Sequence, residues 1–425
     1  MFRSRSTPRP AGRRGSVAVL IAACLTVILA VLAITLDGGS LLAERRHAQA
    51  TADAAALAAA CDLYANYWTN SGTDPAGTAA QSARTTAAAN GYGNDGVTSV
   101  VTVNIPPQSG DYVGMAGYVE VIVQYQEPRS FSTIFAGGPI PVKARAVALG
   151  SPVAADVGIL VLDPTAKGSL NAQGSGTTTV NGVPVVVDSN DSEAAIAGGG
   201  GTLSAPEFDI TGNYATTGGA QFLGTIHTGR RPMADPLADL PVPDKTTMSV
   251  QSSNKTQYTS GSQTLNPGVY KGGISVSGTG SLTLQPGVYY MDGGGFSFSG
   301  QGSLSGPGVM IYNDPGNGNS GGISVSGQGS MILSGPTSGV YQGITFFQNR
   351  TSTVTGNVQG AGGATSITGT FYFAGALLNV SGNGGVSNLG SQYISYDLKL
   401  GGNGGINIAW HPHDVARKRS IYLVE

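Results

Sequence analysis

Residues Gly272–Met310 read GGISVSGTGSLTLQPGVYYMDGGGFSFSGQGSLSGPGVM, and they say nearly the same thing twice. A third copy, GGISVSGQGSMIL, begins at Gly321. Aligned, Ile274 and Val276 correspond to Phe296 and Phe298, then to Ile323 and Val325. Leu282 corresponds to Leu304 and Met331, and Val288 to Val309 and Val340. The steps from Ile274 to Phe296 and on to Ile323 are 22 and 27 residues, the longer one carrying an insertion at Asn313–Ser320. A recurrent period of roughly 20–30 residues marks stacked structural units. Each unit holds three alternating runs, ISVS, SLTL and GVYYM. Alternation turns Ile274, Val276, Leu282, Leu284, Val288 and Tyr290 inward and the serines and threonines outward. Three short strands per turn with glycine-rich corners predict a parallel β-helix, whose single turns cannot bury their inner faces alone. A leucine-rich repeat fits less well, because no helical segment lies within the period. A β-sandwich stays open, since alternation does not fix strand direction.

Looser copies flank the clear ones. GSLNAQGSGTTTVNGVPVVV (Gly168–Val187) and GGGTLSAPEFDITG (Gly199–Gly212) precede them, and LKLGGNGGINIAW (Leu398–Trp410) closes the series. The β-helix is therefore expected over residues 151–412. RPMADPLADLPVPD (Arg231–Asp244) interrupts it as an extended excursion. The tail, residues 413–425, is expected to cap the last coil through its charged stretch ARKRSIYLVE.

The rest of the composition bounds the class. Glycine is high at 66 residues, yet without the three-residue period of collagen. The formal net charge of -2 provides no whole-chain field for nucleic acid. Cys24 and Cys61 are too few for a disulfide framework. From Ser16 to Leu36 the chain has no charged residue, enough to cross a bilayer core of about 20 residues. Residues 1–15 carry Arg3, Arg5, Arg9, Arg13 and Arg14 with no acid among them, which predicts a cytoplasmic amino terminus and an exported remainder. A cleaved signal peptide is the alternative, although its apolar core would be about 7–15 residues. Residues 37–96 form an alanine-rich helical region. Its weakly apolar face is Leu41, Ala48, Ala52, Ala55 and Ala59, and Glu44–His47 is a solvated juxtamembrane turn. Three alternating runs at 97–105, 117–125 and 141–149 predict a small α+β unit over residues 97–150. The whole is mainly β: a transmembrane helix, a small α+β region, then a parallel β-helix.

The string from Arg13 to Ala60, RRGSVAVLIAACLTVILAVLAITLDGGSLLAERRHAQATADAAALAAA, resembles the amino-terminal region of TadG-like proteins of the Flp (Tad) pilus-assembly system. Arg14-Gly15, the apolar helix, Leu36-Asp37 and Gln49–Ala58 carry the resemblance, and the runs between Val101 and Ala148 look like the region beyond that helix in such proteins. It implies a single-pass protein of the cytoplasmic (inner) membrane, its bulk periplasmic or extracellular, with pilus-assembly or envelope partners and no enzymatic activity. Prepilin-like members have Glu five residues after the Gly; here that position is Leu20, which favours an anchored accessory protein over a filament subunit.

Parallel β-helices also serve enzymes of acidic polysaccharides, which cluster charged residues on adjacent coils. Here Asp292 and Asp314 sit at turns, and the equivalent outward positions hold Ser275, Ser297 and Ser324, which are no general acids. His411-Pro412-His413-Asp414 offers metal-ligand types without helical spacing and reads as an exposed loop. Asp188–Glu193 (DSNDSE) alternates oxygen ligands but lacks the Gly and terminal Glu of a calcium loop, and reads as a polar turn. The glycine-rich GNGNSGG and GGNGG lack the strand-to-helix setting of a phosphate loop. No catalytic, cofactor-binding or metal residue is assigned. A glycan-binding module, or a polysaccharide lyase or hydrolase, is the competing function.

Overall fold

The computed structural model describes residues 15–134, 137–316, 321–361 and 364–425. The five tail arginines, Arg3 to Arg14, and residues 317–320 of the Asn313–Ser320 insertion lie outside them. The chain forms two compact units, one of residues 1–151 with 420–425 and one of residues 152–419.

In the first unit, helix α1 (Gly15–Ala65) runs unbroken for 51 residues, about 76 Å. The helix runs through Gly38-Gly39 without interruption. Its first half is bare, with Val19 70% and Ile34 69% exposed. Its second half packs: Ala48, Ala52, Ala55 and Ala59 are fully buried, with Leu41 beside them. The short helix α2 (Tyr67–Asn70) follows, then α3 (Thr78–Ala89), whose Ala79, Ala83 and Ala87 join the same core. The sheet beneath is antiparallel, in the order β1 (Ser99–Asn104), β2 (Tyr118–Glu127), β3 (Ile140–Gly150) and then Ile421–Leu423 from the chain's end. Val119, Val121 and Val123 face the helices, as alternation requires.

Glu44–His47 is not a turn but part of α1, and two of its four residues are engaged. Tyr92 Oη donates to Glu44 Oε1 at 2.6 Å, and the His47 ring lies 3.0 Å from the Asn90 carbonyl. The helical propensity of the flanking alanines carries the chain straight through the charged patch.

On the opposite face of β2, Glu120 is fully buried. Its carboxylate accepts from Asn104 Nδ2 at 2.7 Å, Gln108 N at 3.1 Å, Arg145 Nε at 2.6 Å, and Ser109 Oγ. Burial opposes its charge, but the four hydrogen bonds outweigh burial and hold the carboxyl down at about 2 against an ordinary 4.5. The folded value is depressed, so this stabilisation is complete above about pH 4.5 and is lost as pH falls toward 2. Glu120→Gln is expected to flatten the acid limb of thermal unfolding between those values; an unchanged limb would assign the acid sensitivity elsewhere.

The second unit is a parallel β-solenoid of about 11 turns, three strands to a turn. The expected register holds on two of the three faces. Ile274 stacks on Phe296 and that on Ile323, while Leu282 stacks on Leu304 and that on Met331. The remaining face differs by one residue. Tyr289 and Met291, not Val288 and Tyr290, belong to the interior cluster. Val288 pairs with Met310 rather than Val309, and Val340 lies outside any strand. The physical reason is that this face is buried on both sides, which erases the alternation that marks a half-buried strand. Outside it runs a ladder in which Tyr290 meets Tyr312 at a tilt, and Tyr312 meets Phe347 and Phe347 meets Tyr372 edge to face, each pair of ring centres 5.0 Å apart.

The turns are not stacked in chain order. Strands Gln392–Gly402 and Ile406–Ile408, the last of the repeat, lie against Ile159–Val161, Leu170–Gln173 and Thr177–Val180, the first. The chain therefore enters the solenoid at an internal turn, the fourth from one end, and winds outward to Gln221–Thr228 at that end. It then crosses to Val250–Ser252 at the other end and winds back until it meets the entry turn. The crossing is the proline-rich excursion. Ten turn spacings of about 4.8 Å make roughly 48 Å, within reach of the 21 residues 229–249 at up to about 3.3 Å each.

The carboxyl-terminal tail consequently caps no coil. Arg417-Lys418 pairs antiparallel with Val153-Ala154 where the chain enters and leaves the solenoid, and Ile421–Leu423 completes the sheet of the first unit.

Candidate functional site

Two features stand out from the scaffold: the bare half of α1 and the charged groups on the solenoid surface. The first is built by composition. From Val17 onward α1 contains a window of mean hydropathy 3.1 that is only 6% buried, a helix of the membrane-spanning type. At the foot of this apolar stretch Asp37 accepts from Phe131 N at 3.1 Å and Ser132 N at 2.7 Å, which ties the segment after β2 to the helix. A bare apolar half continuous with an alanine-faced packing half covers the residues that resemble TadG-like proteins. Residues 15–62 match the family model for putative Flp pilus-assembly TadE/G-like proteins. The chain carries a TadE/G-like domain. Neither a curated protein nor a solved structure matches it. Within the TadE/G-like domain, the membrane-spanning-type stretch and the small-residue packing face are parts of one continuous helix.

On the solenoid, the carboxylates singled out in the sequence are engaged in hydrogen bonds within the fold. The strap, residues 231–244, packs against the outer aromatic ladder and is pinned at three points. Met233 N donates to Asp188 Oδ1 at 2.8 Å, and burial pushes the Asp188 carboxyl up. Tyr372 Oη donates to Asp235 Oδ2 at 2.6 Å. Arg350 donates through Nη2 to the carbonyls of Leu237 and Leu240 at 2.5 and 2.8 Å, and through Nε to Tyr372 Oη at 2.7 Å. Just past the strap, Lys245 Nζ reaches Asp292 Oδ1 at 2.9 Å, which raises the lysine pKa. Asp314 accepts from Tyr290 Oη at 2.7 Å and from Asn349 Nδ2 at 3.2 Å.

The other candidates separate. His411, Pro412, His413 and Asp414 form an exposed turn in which Asp414 N donates to the His411 carbonyl at 2.9 Å. In Asp188–Glu193, Ser189 Oγ donates to the Ala166 carbonyl, Asp191 accepts from Glu193 N, and Glu193 pairs with Lys167. Their oxygens diverge rather than converge. Ser275, Ser297 and Ser324 stack in register as a half-buried ladder. GGNGG, Gly401–Gly405, is a corner between faces. The groove lined by Pro286, Val288, Gly308 and Pro336–Tyr341 carries no carboxylate, imidazole or amine.

One cluster escaped the sequence reading. Asp209 and His227 are register partners on adjacent strands, with Glu207 two residues away. His227 Nδ1 lies 2.7 Å from Glu207 Oε1 and 3.3 Å from Asp209 Oδ1. Arg230 Nε donates to Asp209 Oδ1 at 2.9 Å. Among the described residues it is the one group of three with metal-ligand spacing. Arg230 already supplies a cation to the two carboxylates, and the four side chains form one polar network on the solenoid surface. The signal that would have found it is the turn period itself, since 209 and 227 are one turn apart.

Proposed function

We propose that this chain is a non-catalytic, single-pass structural or assembly protein of a Flp/Tad pilus system. In this reading the arginine-rich tail lies in the cytoplasm, α1 crosses the inner membrane, and the solenoid is displayed outside it. The observation that carries the proposal is the TadE/G-like match over residues 15–62, on a helix that is bare in its apolar half and packed in its alanine half. The engagement of Asp188, Asp292 and Asp314 in holding the strap and its neighbouring turns supports a scaffold rather than a glycan-cleaving surface.

Cross-linking in intact envelopes followed by mass spectrometry is expected to recover pilus-assembly proteins with the chain. Deleting the gene should abolish surface pili while polysaccharide turnover continues unchanged. Recovery of no pilus component, or loss of polysaccharide turnover with pili intact, would overturn the proposal. Protease added to cells with an opened outer layer should digest the solenoid and spare the tail; the reverse pattern rejects the orientation.

A further inference from the structure

The solenoid has two ends, and each finishes on strands paired along one edge only. At one end these are Tyr214–Thr216 and Gln221–Thr228; at the other, Val250–Ser252, Thr256–Tyr258 and Ser262–Leu265. Such edges present unpaired N–H and C=O groups, and proteins that stay apart commonly blunt them with lysine, other charges or proline. These strands, YAT, QFLGTIHT, VQS, TQY and SQTL, contain no proline, lysine, arginine or carboxylate. The interior is open there as well. Phe222 and Ile226 at one end, and Tyr258 and Leu265 at the other, pack on the core only partly covered. Leu223 is 58% and Val250 54% exposed.

We propose that copies of this chain join head to tail through their solenoids, the Gln221–Thr228 end of one meeting the Val250–Leu265 end of the next. The occupant is specified by the winding. A stack of like turns has complementary opposite edges, with the same strand direction and the same three faces, so the second copy continues the ladder where the first stops. The first copy ends on Thr225–Thr228, and the strand of the next copy on that same face is Val250–Ser252. On the adjoining face the inward residues are Tyr214 and Thr216 at one end and Thr256 and Tyr258 at the other. Continued in register, each tyrosine meets a threonine, large against small. A same-end joint runs the strands antiparallel and lays only one face on its counterpart, because turning a copy over reverses the order of the faces. A head-to-tail contact is heterologous and does not close, so its product is an open chain of copies. This inference concerns the chain alone and does not rest on the pilus reading.

The test uses the full chain in detergent, imaged by negative-stain electron microscopy over a concentration series. End-to-end rods are expected, lengthening by about 50 Å per copy. Leu223→Lys and Val250→Lys each place an ammonium at one end, and every joint of either variant alone then contains a lysine. Each should give single rods only. Mixed, they share one unmodified joint and should give pairs and nothing longer, which also shows that both fold. Single wild-type rods at every concentration overturn the proposal, as do end-to-end joints that persist in either variant alone. If a variant does not fold, the wild-type images decide.

Discussion

Gly402→Ala is expected to cost more than about 4 kcal/mol in urea unfolding of the solenoid, at the exceptional end for one substitution. Gly402 has φ +97, and a Cβ placed on it would overlap the carbonyl oxygen of Gly382 in the adjacent turn. Its own carbonyl in turn faces Gly174, where a Cβ would meet it. Neither neighbour can step aside, since both are backbone held by the ladder, and the corner joins the last turn of the chain to the first. Gly384 is the matched control. It also has a positive φ, +81, but open space around the missing Cβ. Gly384→Ala therefore carries only the left-handed backbone penalty of roughly 1–2 kcal/mol. Equal losses for the two would show that backbone conformation, and not the stacking distance, sets the demand for glycine here.

Arg350→Ala should release the strap. One guanidinium serves two strap carbonyls and the Tyr372 hydroxyl while lying 5.1 Å from the Phe347 ring centre and 5.3 Å from that of Tyr372. Hydrogen bonds to a charged group contribute about 1.5–3 kcal/mol each and are not additive, so a total near 3 kcal/mol is expected. Hydrogen exchange at the amides of Met233, Leu237 and Leu240 is the direct readout. It should accelerate by about 100-fold, at a factor of ten per 1.4 kcal/mol. Arg350→Lys keeps the charge but loses the planar fork, and it should restore less than half of the protection. Unchanged exchange in Arg350→Ala would mean that the packing of Leu237 against the outer ladder, with the Asp188 and Asp235 hydrogen bonds, holds the strap without the guanidinium.

Much of this molecule is legible in its residue pattern, and the gaps have physical causes. The pairs Ile274–Phe296 and Leu282–Leu304 can be read because serine and threonine mark the wet side of those strands. Tyr289 falls on the wrong side of a strict alternation because GVYYMD is apolar at consecutive positions, the strap having made its outer face a second interior. The strap itself is visible as an excursion, but its anchor, Arg350, follows it by more than a hundred residues, and nothing local to either announces the contact. The polar network of Glu207, Asp209, His227 and Arg230 needs the turn period to be applied to polar residues as well as to aliphatic ones. The order of the turns is not legible at all. Each repeat offers the same main-chain edge, so no residue in Leu398–Ile408 declares that its neighbour is Leu170 and not a terminal cap.

That permuted order has a bearing on synthesis. The ribosome delivers Ile159–Thr228 early, as a short stack whose lower edge has no partner until Gln392–Ile408 emerges. The final turn is thus a keystone, closing two unequal stacks that were made apart. A premature stop near residue 390 would not shorten the solenoid by one turn from its tip; it would leave two stacks joined only through the strap, each with a raw edge at the break.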